Sequence, residues 1–291
     1  MAILRYNFRS EILGLNTNVT VCYPASALTT GLGFRDPIFR DDDKMPYVPG
    51  MKFQTVYVLH GGGEDDTVPY RYTRLEQYAE NNKVMLVSPS VNDSFYMNTT
   101  YGYKYFDYVT QELPLVVKSL FASADGRENT FVVGMAMGGN GALGLGLIRP
   151  DLYEAVVDLS GGIGVTLDRE EYIRSLHWHT PRVRNTLLGE QEFVNSEHDL
   201  RWFAERNKAE GVQVPQLFIG VGEDDFIRDR VHEDYLILQK LGYDVMYEEA
   251  KAMKHDFDMW DFYLNKALSS WLPLKREPLY TKEMRTNGLS K

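Results

Sequence analysis

The chain has 291 residues, 44% of them hydrophobic, which is enough to bury one sizeable α/β core, read as a single domain over 1–291. A formal net charge of −10 without any basic run argues against a nucleic-acid partner. The lone cysteine, Cys22, excludes an internal disulfide and reads as a small buried apolar residue, and no apolar stretch approaches the roughly 20 residues that span a bilayer.

The N-terminus runs directly into polar, strand-like sequence with no charged or apolar leader region, so a soluble, cytoplasmic protein is expected. Asn18 to Tyr23 alternates as an antiparallel strand does, and a polar loop follows from Gly31 to Gly50. From Phe53 onward the pattern changes to continuous apolar runs that end in glycine or polar residues. These are Thr55 to Leu59, Val84 to Val87, Thr130 to Val133, Ala155 to Leu159 and Gln216 to Val221. Such runs suit parallel strands buried on both faces.

Helical periodicity fills the gaps, at Tyr72 to Asn81, Phe106 to Phe121, Asn140 to Arg149, Asp229 to Leu241 and Trp260 to Trp271. The alternation predicts a doubly wound, mostly parallel sheet whose chemistry lies in the loops beyond the carboxyl ends of the strands. The stretch from about 164 to 214 breaks the rhythm with aromatics and histidines and reads as a small helical cap over the site. The polar tail after Pro273 is expected on the surface or against a partner.

The strongest chemical signal is Val132-Val133-Gly134-Met135-Ala136-Met137-Gly138-Gly139, a strand entering a glycine-bounded turn and then a helix. It is the G-x-S-x-G nucleophile elbow with alanine at its centre, in which small neighbours let a strained turn push the central side chain into a cleft. Leu59-His60-Gly61-Gly62-Gly63 ends an earlier strand and matches a loop that supplies one oxyanion-hole N–H. Gly62 is the expected donor, with Met137 giving the other, each worth roughly 3–4 kcal/mol to a tetrahedral intermediate. The side chain of His60 is read as structural. Gly61 and Gly63 would let substrate approach the backbone.

Two later loops complete the order nucleophile, acid, histidine. Gly222-Glu223-Asp224-Asp225-Phe226 offers the acid, Asp225 first and Asp224 second, and Lys254-His255-Asp256-Phe257 offers His255 as proton carrier. His177 and His179, two apart, diverge too far to share a metal, and no cofactor is required. Trp178 and Trp260 are candidate substrate contacts, while Tyr96, Tyr101, Tyr103 and Tyr105 could equally be packing residues.

Together the elbow, the oxyanion loop, the Gly-x-Glu-Asp-Asp-Phe loop and the segment from His255 to Trp260 resemble the esterase D family and carbohydrate esterase family 1, over roughly Phe53 to Trp271. Further matches run from Tyr101-Gly102-Tyr103 to Glu112-Leu113-Pro114, and along Ser196 to Leu200. The resemblance implies an α/β-hydrolase fold and a Ser-His-Asp carboxylic-ester hydrolase with its triad at position 136, Asp225 and His255. Its implied substrates are acetyl or hydroxycinnamoyl esters on plant-carbohydrate fragments. S-formylglutathione is the second choice, weakened because the reactive cysteine near the oxyanion loop is missing. Self-association stays open.

Alanine cannot attack a carbonyl. Three readings of Ala136 follow: a serine replaced to trap substrate, which the otherwise intact machinery favours; a natural ester-binding pseudoenzyme; or another nucleophile. Ser160, at the end of the next strand, is the candidate for the last, although it lacks an elbow and is otherwise read as a wall of the site.

Overall fold

The computed structural model describes residues 2–24, 50–100, 102–162, 187, 189 and 195–280. Eight strands form one sheet: β1 (Ala2–Arg9), β2 (Asn16–Tyr23), β3 (Thr55–Leu59), β4 (Met85–Pro89), β5 (Thr130–Met135), β6 (Ala155–Leu159), β7 (Gln216–Gly222) and β8 (Val245–Ala250). Their order is β1-β2-β4-β3-β5-β6-β7-β8. β2 pairs antiparallel with β1 and with β4, and all other pairs are parallel. This is the expected mostly parallel α/β-hydrolase sheet, and every residue of β3, β4 and β6 is buried.

The helices are α1 (Val68–Tyr72), α2 (Leu75–Asn82), α3 (Tyr105–Asp107), α4 (Leu113–Leu120), α5 (Met137–Ile148), α6 (Leu200–Ala209), α7 (Arg228–Lys240) and α8 (Phe257–Lys266). Alternation along the strands divides the core in two. Tyr57 and Leu59 pack on the face covered by α4, α5, α6 and α7, whereas Val56 and Val58 pack on the face covered by α2 and α8. None of these helices, among the described residues, is long and apolar enough to cross a membrane.

Three sequence expectations are refined. The helix expected over Phe106 to Phe121 is interrupted by a π-helical stretch, Tyr108–Glu112, in which the Leu113 N–H reaches back to the Tyr108 carbonyl. Pro114 follows it and has no N–H to give to the preceding turn, which favours this wider winding. The carboxylate of Glu112 at its end is put to use: it accepts the N–H groups of Glu11 and Ile12 and the Ser10 hydroxyl, pinning the β1–β2 turn.

Within the segment read as a cap, α6 is instead the crossover helix between β6 and β7, with Leu200, Phe203 and Ala204 in the main core and Asp199 capping its N-terminus through the Trp202 N–H. The rest of the proposed cap up to residue 186, with Trp178 and both its flanking histidines, lies outside the described residues, as do most of the Gly31–Gly50 loop and Tyr101.

The tail after Pro273 lies on the surface through Tyr280, as expected, but it is pinned there, with Leu274 buried. Leu272 and Leu274 are buried, the Lys275 N–H donates to Gln54 Oε1 at 2.7 Å, and Lys52 and Leu279 exchange two backbone bonds of 2.8 Å. Two leucines placed just after the last helix closed the α2–α8 face, a feature that overall polarity concealed. Leu272→Ala is therefore expected to cost about 2–5 kcal/mol in urea unfolding, the range for deleting a buried leucine side chain. A loss below about 0.5 kcal/mol would show that Leu272 does not close this face.

Candidate active site

The parallel strands end level with one another. Leu59 pairs with Gly134, Met135 with Leu159, Leu159 with Gly220, and Gly222 with Ala250, so the loops after β3, β5, β6, β7 and β8 share one edge of the sheet. That edge gathers the segments singled out in the sequence.

At the centre, Ala136 joins β5 to α5 with φ 51° and ψ −117°, a left-sided backbone that a residue with a Cβ adopts only under constraint. The constraint is visible. A Cβ on Gly134 would lie 1.8 Å from the Gly138 carbonyl oxygen, and one on Gly138 would lie 2.2 Å from the Leu59 carbonyl oxygen. Only glycine permits the turn to close so tightly against β3. The Ala136 N–H then donates to Leu159 O at 2.8 Å, and its carbonyl accepts from Gly139 and Asn140, starting the helix.

His255 lies in the loop after β8, with Nδ1 3.1 and 3.0 Å from the two carboxylate oxygens of Asp225. The Asp225 side chain is fully shielded from solvent and also accepts the Ile227 N–H at 3.0 Å, so its orientation is set before any ligand arrives. A proton on Nδ1 for the carboxylate leaves Nε2 as the ring's free base. Phe226 and Trp260 flank the ring at 4.6 and 5.1 Å between centroids. Trp260 is buried and backs the histidine. Asp224, the second choice for the acid, gives its N–H to the Met253 carbonyl, and it is Asp225 that meets the histidine.

The glycine loop separates its three N–H groups. Gly61 donates to Glu64 Oε2 at 2.8 Å and Gly63 to Asp93 Oδ1 at 2.6 Å. Among the described residues neither the Gly62 N–H nor the Met137 N–H has an acceptor. His60 is wholly buried: the Val91 N–H donates to Nε2 at 3.2 Å, so Nδ1 carries the proton and donates to Gly61 O at 2.8 Å. Burial lowers its pKa and keeps it neutral, which agrees with the structural reading of this side chain.

Sequence reasoning missed Glu64, Asp93 and Asp158. Glu64 followed the glycine run as one of several acidic residues, and only the fold turns it back onto Gly61; burial raises its pKa. Ser160, with φ 61°, is buried, and its hydroxyl has no partner among the described residues. Asp158, pointing into the core from β6, accepts the N–H groups of Gly161 and Gly162 at 2.7 Å each. Burial pushes its carboxyl up to about 7 against the opposing pull of those donors, and the neighbouring Asp225 charge adds to the rise.

A family model for esterases matches residues 45–270 of the chain. The chain belongs to this esterase family. It is 27% identical over 279 residues to an acetyl esterase of Caldicellulosiruptor saccharolyticus, covering 94% of this chain and 98% of that one. Among solved structures it resembles FphF, a fluorophosphonate-binding serine hydrolase of Staphylococcus aureus with substrate bound, at 26% identity and TM-score 0.78 over 93% of this chain and 98% of that one. The S-formylglutathione hydrolase FrmB of the same organism matches at 26% identity and TM-score 0.74 over the same shares. The esterase assignment makes the reaction class carboxylic-ester hydrolysis, as the sequence reading had it.

Asp158 leads to a stability prediction. Near its ordinary value of 3.8 and below, folded and unfolded chains both hold the proton; as pH rises from there through about 7 the unfolded chain releases it first, so stability is lost across that window and then levels off. Asp158→Asn should flatten the difference in urea-unfolding free energy between pH 5 and pH 8 by an amount on the order of 1–4 kcal/mol, even if it costs a constant offset. An unchanged pH slope would mean that Asp158 is ionised in the folded protein.

Proposed function

We propose that this site is a serine-esterase site in which alanine occupies the nucleophile's place, so that the chain as it stands binds esters without turning them over. The observation that carries the reading is the Asp225–His255 pair sharing a sheet edge with an elbow that keeps its constrained backbone around a residue with no nucleophile. The surrounding glycines and strand contacts maintain a turn for which alanine offers no chemical return.

With serine at 136, the hydroxyl would attack the ester carbonyl as His255 Nε2 takes its proton, and Asp225 would stabilise the imidazolium through Nδ1. The Gly62 and Met137 N–H groups would receive the negative charge that develops on the carbonyl oxygen. Expulsion of the alcohol, protonated by His255, leaves an acyl-enzyme, which water then cleaves by the same route. None of these steps calls on a metal or an organic cofactor.

The acetyl esterase relative supports a short acyl group in the substrate; acetylated or feruloylated plant-carbohydrate fragments are proposed as the molecules that carry it. The S-formylglutathione hydrolase relative supports a thioester as the competing substrate. Trp178 is proposed as a substrate contact from the segment outside the described residues, and Gly61, Gly63 and Ser160 as walls of the cleft.

Ala136→Ser should hydrolyse p-nitrophenyl acetate at a rate about a millionfold above the chain as given, the scale of losing a triad nucleophile. Comparison of acetate, ferulate and S-formylglutathione turnover then ranks the substrate classes. A folded serine form without activity would count against the esterase reading of this site, and comparable activity in both forms would point to a nucleophile elsewhere.

A further inference from the structure

Gly62 and Met137, whose N–H groups have no acceptor among the described residues, sit on different elements, one on the loop after β3 and the other at the start of α5. Their spacing must hold to a fraction of an ångström for both to address one oxygen atom. A buried side chain, Tyr96, touches both supports. Tyr96, in the loop after β4, donates its hydroxyl to the His60 carbonyl at 3.0 Å. Its ring lies against α5 at Gly141, where a Cβ would come within 2.4 Å of Tyr96 Cδ2. The His60 ring stands 5.7 Å from it, and only 1% of Tyr96 is exposed.

Tyr96 reaches this place at a conformational cost. It and Phe95 both have positive φ, 60° and 53°, as does Asn92 at 51° in the same loop. Aromatic residues seldom adopt this backbone, so two in succession imply that the surroundings impose it. The same loop also holds the glycine run through Val91 N–H to His60 Nε2 and through Asp93 to Gly63 N–H.

The geometry points to Tyr96 as a positioning residue of the oxyanion hole: a rigid phenol strut that fixes the glycine loop against the elbow helix, and with it the spacing of the Gly62 and Met137 donors. This deepens the esterase reading and rests on it. The strut never touches substrate. It acts on the donors, so its loss should weaken stabilisation of the tetrahedral state while leaving ground-state binding intact. Within this side chain the ring anchors the packing and the hydroxyl makes the bond to the glycine loop, which makes Tyr96→Phe the discriminating change.

In the Ala136→Ser background, Tyr96→Phe should lower kcat on p-nitrophenyl acetate about ten- to a hundredfold, with KM held within about twofold. In the chain as given, the same substitution should speed amide hydrogen exchange in the peptide covering residues 59–64 at least about tenfold while β5 and β6 keep their protection. Unchanged kcat together with unchanged exchange would overturn the proposal, as would a rise in KM with kcat retained. Should the serine form itself prove inactive, the esterase reading fails, and the exchange measurement alone decides on the strut: faster local exchange supports it and unchanged exchange refutes it. If Tyr96→Phe does not fold, Gly141→Ala displaces the same ring from the helix side and is read in the same two ways.

Discussion

The close approach of the elbow helix to the end of β3 governs this active site. Gly138 rests against the carbonyls of Leu59 and His60, and Gly134 against the carbonyl of Gly138, at separations that no side chain could share. This contact turns Ala136 out of ordinary backbone space and sets the N-terminus of α5 against the end of β3. The chain accepts five glycines within a twelve-residue helix, Gly138 among them for this contact, each unfavourable by about 1 kcal/mol relative to alanine, and burial of nearly the whole helix offsets the loss. Tertiary packing, not intrinsic propensity, makes α5 a helix.

The other half of the machinery is built by the same economy of level strand ends. β7 and β8 finish in register, so the acid loop and the histidine loop emerge side by side, and Asp225 needs no long side chain to reach His255. The carboxylate is shielded from water and doubly engaged, and the imidazole is held between Phe226 and Trp260. A preorganised pair of this kind contributes without reorganising when charge forms, which is the basis of electrostatic catalysis. With alanine at position 136 the elbow keeps its constrained backbone and the Asp225–His255 pair its hydrogen bonds.

Much of this was legible in the sequence because buried parallel strands announce themselves as apolar runs and the elbow demands glycine at fixed offsets. The Asp225–His255 pairing and the order of the loops could be read in that way. What could not be read depends on contacts between distant segments. Nothing local in Asn-Asp-Ser-Phe-Tyr signals two aromatic residues with positive φ, and Tyr96 could not be told from the chain's other tyrosines until its hydroxyl was seen on His60. Glu64 looked like one more acidic loop residue. Asp158 was hidden inside an apolar run, and its proton affinity arises only once β6 is buried. The surface course of the tail was legible, but not the burial of Leu274, an apolar residue in a polar stretch. Helix α6 falls in a stretch whose aromatics and histidines break the strand–helix rhythm, and only the fold shows Leu200, Phe203 and Ala204 seated in the main core.

The central claim is that a complete esterase site here lacks only its nucleophile. Intact-mass analysis after treatment with a fluorophosphonate tests it most directly, because that reagent reports an activated serine without regard to the natural substrate. The account predicts a single adduct on the Ala136→Ser protein, mapped to residue 136 and abolished by His255→Ala, with no labelling of the chain that carries alanine. An adduct on Ser160, or a folded serine form that stays unmodified, would contradict it.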